Sequence, residues 1–153
     1  MQAADIMNRQ VVRVKEDEPL SAVLSKLLEH QMNVIPVVNE RNEIRGMIGV
    51  ADILRWVGKH HTICDFIYFS GVWMDQEALH FKVDRLFACQ ASDLINPKVI
   101  IVQMDDELEE VVTLLGRTQS NIVLVENDGV LQGSIEAKEL IRFILNDVDN
   151  RYH

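Results

Sequence analysis

This 153-residue chain is short of several things, and each shortage excludes a class of protein. It has two cysteines, Cys64 and Cys89. Two do not make a disulfide framework, so a reducing, cytoplasmic setting is expected. Basic residues are outnumbered: 15 Lys and Arg stand against 24 Asp and Glu, a net charge of −9. That argues against a nucleic-acid partner, because non-specific binding depends on cations neutralising phosphates. A phosphorylated ligand would need a locally basic pocket against this field. No apolar run approaches the ~20 residues that span a bilayer, so no membrane partner is expected. Met1-Gln2-Ala3-Ala4-Asp5 shows neither the basic nor the apolar region of a signal peptide. There is no Ser-His-Asp set, Walker loop or zinc-protease helix. Gly46-x-x-Gly49 is too short and too late in its unit for a dinucleotide fingerprint. The chain is therefore read as a non-enzyme that requires no cofactor.

What the chain does have is a repeat. Ala4-Asp5-Ile6-Met7-Asn8 opens one segment and Ser92-Asp93-Leu94-Ile95-Asn96 opens another, at an offset of 88. Val11, Val14, Asp17, Leu20 and Val23 then match Val99, Val102, Asp105, Leu108 and Val111. Gln31, Asn33 and Val37 match Gln119, Asn121 and Val125. After a one-residue slip, Gly46, Ile48 and Arg55 match Gly133, Ile135 and Arg142. A tandem repeat of about fifty residues means two copies of one supersecondary unit. One such unit alone buries little of its surface, so the two are expected to share a core, with function lying between them.

Each copy spells β-α-β-β-α. In the first, Val11, Val12 and Val14 predict a strand, and Asp17-Glu18-Pro19 a helix start. Leu20, Val23, Leu24, Leu27 and Leu28 recur as one face of an amphipathic helix. Val34 to Val38 is a buried strand, Asn39 to Asn42 a turn, Ile44 to Ile48 a strand, and Asp52 to Val57 a helix. In the second copy, Val99 to Val102 is a strand, and Leu108 to Leu115 a helix after Asp105-Asp106. Asn127-Asp128-Gly129 has strong hairpin chemistry between Ile122–Val125 and Val130–Ile135, and Ala137 to Leu145 is the closing helix. The class is α+β, with small sheets covered by helices. The organisation is a first repeat at 4–57, an insertion at 58–91, a second repeat at 92–145 and a tail at 146–153.

The insertion is rich in aromatics, including Phe66, Tyr68, Phe69, Trp73, Phe81 and Phe87. Leu79, Val83 and Leu86 have helical spacing, with Asp75 as an N-cap. Extra core packing is the favoured reading, and an oligomer surface or pocket lid is the alternative. His60-His61-x-x-Cys64-Asp65 matches no established closed metal site and lacks a fourth partner. It reads as a polar helix end or linker, and no metal is expected. Lys59, His60, His61, Arg55 and Arg142 are candidates to meet phosphates, although solvent-facing positions explain the arginines equally well.

These motifs together resemble a tandem pair of cystathionine-β-synthase (CBS) domains, a Bateman module, of the stand-alone bacterial or archaeal kind. The resemblance rests on Asp5-Ile6-Met7, Val34 to Val38 and Gly46 to Leu54, and on Asp93-Leu94-Ile95 and Gly133 to Ile141. It implies pseudo-twofold packing of the copies, two clefts between them, and dimerisation into a disc. It also implies regulatory binding of AMP, ADP, ATP or S-adenosylmethionine, with output through an unidentified effector protein. The family pattern at the end of the hairpin is Gly, two apolar residues, Ser or Thr, two variable residues, then Asp.

Carried over, Asp52 is the ribose carboxylate of the first copy, and Val12, Val34, Ile35 and Pro36 form the adenine side. Gly49 stands where Ser or Thr is usual. Asp52 equally suits a helix cap. In the second copy the corresponding residues are Ile100, Ile122, Val123, Glu136 and Glu139. Glu139 replaces Asp, Glu136 replaces Ser or Thr, and Leu124 replaces Pro36. The helix dipole is the favoured explanation of both glutamates. A carboxylate at 136 would repel a phosphate, so the second site is expected to be empty or to bind something neutral. The alternative function is a structural homodimerisation module with degenerate clefts.

Overall fold

The computed structural model describes residues 1–59 and 83–152. In chain order the elements are α1 (Ala3–Ile6), β1 (Val14–Lys15), α2 (Leu20–Glu29), β2 (Val34–Val38), β3 (Ile44–Gly49) and α3 (Val50–Lys59). A helical stretch at 83–87 and a 3₁₀ turn, Ala91–Asp93, follow. The second copy gives β4 (Ile101–Gln103), α4 (Leu108–Thr118), β5 (Ile122–Asn127), β6 (Val130–Glu136) and α5 (Ala137–Tyr152).

These elements form two compact units that are not contiguous in sequence. The unit that is inner in sequence comprises Val12–Glu40 and Arg45–Pro97; the unit that is outer in sequence comprises Met1–Val11, Arg41–Ile44 and Lys98–His153. Each opening pentad therefore folds with the other copy's sheet. Burial explains this. Ala3 and Met7 belong to the core of the outer unit, with Val102, Val111, Leu115, Val123, Val125, Ile135 and Leu140. Ala91 and Leu94 belong to the core of the inner unit, with Val14, Leu20, Val23, Leu27, Ile35, Val37 and Ile48. Each fully buried branched side chain among them contributes ~1.5–3 kcal/mol.

Both sheets have three strands with the hairpin's first strand in the centre. β1 runs parallel to β2, pairing Val14 with Val37. β4 runs parallel to β5 in the same register, pairing Val102 with Val125. β5 and β6 are antiparallel, with an irregularity between Val125 and Glu126. Their turn has positive φ at Asp128 (52°) and Gly129 (83°), the backbone that favours Asp-Gly and that matches the twist of the flanking strands. The matched residues Gln31 and Gln119 both take left-handed conformations just past α2 and α4.

The opening segments explain the repeated glycine. Asn96 and Met47 exchange backbone hydrogen bonds at 3.0 and 2.8 Å in the inner unit. Asn8 and Ser134 do the same at 2.8 and 3.0 Å in the outer unit. A Cβ on Gly46 would meet the Ile95 Cγ2 and lie 2.6 Å from the Asn96 carbonyl oxygen. A Cβ on Gly133 would lie 2.8 Å from the Asn8 carbonyl oxygen.

Several boundaries differ from the sequence reading. β1 is confined to Val14–Lys15, and β4 starts at Ile101 rather than Val99. β-Branched runs extend beyond the residues that find ladder partners. α3 starts at Val50, not Asp52, because the Val50 N–H is taken by the Asn33 carbonyl at 2.9 Å. α5 runs on through residues assigned to a tail, carried by the apolar series Ile141, Leu145, Val148 and Tyr152 and by the Asp147–Arg151 pair at 3.0 Å. Leu28 is exposed, at the edge of the α2 stripe.

Candidate functional site

Each sheet's last strand turns directly into a helix, and Gly49 and Asp52 lie at the first of these corners, Glu136 and Glu139 at the second. At the first corner, the buried Gly49 ends β3. Its N–H donates to Asp52 Oδ2 at 2.8 Å. The other oxygen, Asp52 Oδ1, accepts from Arg55 Nη1 at 3.1 Å. Asp52 lies in the first turn of α3, where a carboxylate is favoured by the helix dipole, and its side chain is 17% exposed. It is a cap and an ion-pair partner, and a carboxylate's remaining lone pairs leave room for further donors. A Cβ on Gly49 would come within 3.2 Å of Asp52 Oδ2, so glycine keeps this closure uncrowded.

Of the residues expected on the adenine side, Val12 and Val34 are half-buried, whereas Ile35 and Pro36 are fully buried. The Ile35 side chain faces the helix-covered core. Only its backbone is left for a ligand, and the same holds for Val123 in the outer unit.

At the second corner the Ala137 N–H is taken by the Asn121 carbonyl at 2.8 Å, as Val50 is by Asn33. The carboxylates behave differently. Glu139 is exposed and pairs with the Arg142 guanidinium. Glu136 is exposed and sits opposite Ile122 on β5. Glu136 and Glu139 line one pocket of about 270 Å³ with Ile6, Asn8, Ser134 and Ile135. Ile100 is half-buried, and its carbonyl accepts from the Leu124 N–H at 2.9 Å. Sequence reading missed Asn8 and Ser134. The repeated Asn8/Asn96 pair was the available signal for the first, and the i, i+2 spacing of Ser134 and Glu136 for the second.

Arg55 and Arg142, considered as phosphate ligands, are each held by the carboxylate three residues before them. Burial lowers the pKa of Arg13. Burial, then the charge of Asp93, raises that of the Cys89 thiol, which favours the unreactive protonated form. The Lys59 side chain, the His60-His61-x-x-Cys64-Asp65 motif, Asp75 and most of the aromatic insertion lie outside the described residues. Among the described residues, no group of three or more His, Cys, Asp or Glu is placed to hold a metal, and no helix is long and apolar enough to cross a membrane.

A family model described as the CBS domain matches residues 3–59 and 91–146. The chain belongs to the CBS domain family. Both corners thus fall inside CBS repeats, and residues 60–90 lie between them. The CBS fold is shared with CBSX2, whose structure is in complex with AMP. That likeness has 21% identity and a TM-score of 0.70 over 95% of this chain and 96% of that one. It is shared also with the CBS domain pair of protein MJ0100, in complex with 5′-methylthioadenosine and S-adenosyl-L-methionine. There the identity is 14% and the TM-score 0.68, over 96% of this chain and 98% of that one. A homoserine O-acetyltransferase of Methanococcoides burtonii is 37% identical over 54 residues. That match spans 35% of this chain and 11% of the enzyme, a length close to one CBS repeat.

Proposed function

We propose that this CBS domain protein is a non-catalytic regulatory module that senses an adenosyl ligand, with the Gly49–Asp52 corner as its adenine-nucleotide site. The observation that carries this reading is the Asp52 carboxylate, held in place by the Gly49 amide and Arg55 and still 17% exposed. A carboxylate fixed in this way can accept both hydroxyls of a ribose as charge-assisted hydrogen bonds. Val12 and Val34 supply apolar contact to a base, and the backbone of Ile35 and Pro36 supplies polar edges. The complexes of CBSX2 with AMP and of MJ0100 with adenosyl ligands support the ligand class. The corner's own charge is balanced, one carboxylate against one guanidinium, so a phosphate can approach once Arg55 swings toward it.

Sensing follows from linkage: a ligand shifts a module between states only as far as it binds them differently. Output would pass to an effector protein. We further read the module as a homodimer, on the strength of the exposed apolar residues Ile141, Ile144, Leu145 and Val148 along α5. Sedimentation at rising concentration checks the dimer. Acetyl transfer is not proposed, since the match to the transferase covers so little of that enzyme.

A second reading, a structural module with degenerate sites, is favoured by Glu136 and by the self-contained closure of Asp52. Calorimetric titration with AMP, ADP, ATP and S-adenosylmethionine separates the two. The sensor reading expects at least one to bind below millimolar. Asp52→Asn keeps a cap acceptor but loses the charge, and should weaken binding by about tenfold. No binding by any of the four supports the structural reading.

A further inference from the structure

We propose that the groove between β4 and α4 receives a lysine side chain of a partner protein, carried on an extended segment that lies along the open edge of β4. The site uses no residue of either strand-to-helix corner, so it stands whether or not an adenosyl ligand binds.

The first repeat supplies the precedent. There Lys26 on α2 reaches back to β1, and its Nζ donates to the Arg13 carbonyl at 3.0 Å. The same ammonium lies 3.5 Å from Glu18 Oε2. Glu18 is fixed in turn, because its Oε2 accepts from the Lys15 N–H at 3.1 Å. An ammonium is thus held between an edge-strand carbonyl and a carboxylate anchored on the same strand.

The second repeat keeps the acceptors and drops the donor. At the offset of 88, Arg13, Lys15 and Glu18 become Ile101, Gln103 and Asp106. Asp106 Oδ2 accepts from the Gln103 N–H at 2.8 Å, as Glu18 does from Lys15. The ladder to β5 runs through the Ile100 carbonyl, so the Ile101 carbonyl points to the open edge. Lys26 becomes Leu114, which has no charge to place between these acceptors.

In place of that lysine the second repeat has a groove of about 500 Å³. Ile101, Val111 and Leu114 form its apolar part. Ile101 is 36% exposed and Leu114 half-buried, so a lysine stem finds apolar walls below its charged end. Glu109 and Glu110 stand where the first repeat has Ser21 and Ala22. With Asp106 they set three carboxylates against Arg117, and no lysine is among the lining residues. Of the charges that flank β4 in sequence, Lys98 and Asp105 offset one another, and Glu107 is paired with the Met1 ammonium at 3.6 Å. The helix dipole accounts for acids in the first turn of α4. It does not account for a carbonyl and a carboxylate whose counterparts, one repeat earlier, hold an ammonium.

The test titrates the full chain with the pentapeptide acetyl-Thr-Val-Lys-Val-Thr-amide and with the same peptide carrying norleucine in place of lysine. Binding is followed by NMR at the amides of Ile101, Gln103 and Glu110. The lysine peptide should bind about tenfold more tightly, and the preference should shrink as salt rises. Leu114→Lys restores the donor of the first repeat, so its own ammonium should take the site and weaken the lysine peptide about tenfold. Glu110→Gln, a change at an exposed position, should weaken the lysine peptide about threefold and leave the norleucine peptide unchanged. Four results would each overturn the proposal: equal affinity for the two peptides, no response at these amides to either at millimolar concentration, lysine-peptide affinity untouched by both variants, or pentylamine bound as tightly as the lysine peptide. The adenosyl reading is unaffected by any of them.

Discussion

Asp52 and Glu139 hold matching places in the two repeats, in the first turn of the helix that follows the last strand. Asp52 folds back onto the Gly49 amide and also holds Arg55. Glu139, one methylene longer, pairs outward with Arg142, and its side chain is 57% exposed against 17% for Asp52. At the strand end, the buried Gly49 is matched by the exposed Glu136. At the first corner the carboxylate folds onto backbone; at the second both carboxylates stay exposed. Meanwhile the scaffold beneath is the same, down to the Val14–Val37 and Val102–Val125 register. The two copies of one unit thus agree at the positions that determine the fold and differ at the strand-to-helix corners.

The largest expected effect tests what the copies share. Gly46→Ala places a methyl against Ile95 and 2.6 Å from the Asn96 carbonyl oxygen, at a φ of +154°. It should cost ~2–4 kcal/mol in denaturant unfolding. Gly133→Ala meets the Asn8 carbonyl and the flexible Met7 side chain, both at 2.8 Å, and should cost ~1–3 kcal/mol. If either alanine is neutral, the opening segment is not packed against that glycine.

Next comes the contrast between the caps. Asp52→Ala removes a 2.8 Å hydrogen bond to Gly49 and should cost ~1 kcal/mol. Glu139→Ala removes only an exposed pair and should stay within ~0.5 kcal/mol. Equal losses would erase the structural difference between the corners.

Smallest is Ser134→Ala. Because the hydroxyl has no partner among the described residues, its loss should leave stability unchanged or raise it by up to ~1 kcal/mol. A loss above ~1 kcal/mol would mean that the hydroxyl is satisfied in the protein.

Much of this fold was legible from local pattern. The Leu20-Val23-Leu27 spacing, the Asp128-Gly129 turn and the matched strands all carry their own signals. The exchange of opening segments was not, because which sheet a pentad packs on is decided by contacts far away in sequence. Repetition alone cannot separate its own copy from the other. The site was legible in part. Position put Asp52, Gly49, Glu136 and Glu139 at the strand-to-helix corners, but not the turn of each carboxylate toward backbone or solvent, which depends on side-chain length and neighbours. Ile35 and Val123 looked like ligand walls because apolar strand residues serve both cores and pockets; burial assigns their side chains to the cores. For Ser134, the i, i+2 spacing from Glu136 marks a shared strand face but not a hydroxyl that will be buried without a partner.

The central claim is the proposal that the Gly49–Asp52 corner, and not its counterpart in the second repeat, is the adenine-nucleotide site. Titrating AMP into the protein, with the amides of Gly49 and Glu136 followed by NMR, tests it directly. The account predicts that Gly49 responds at AMP concentrations about tenfold lower than Glu136, which barely moves. Simultaneous saturation of both, or saturation of Glu136 first, would contradict it.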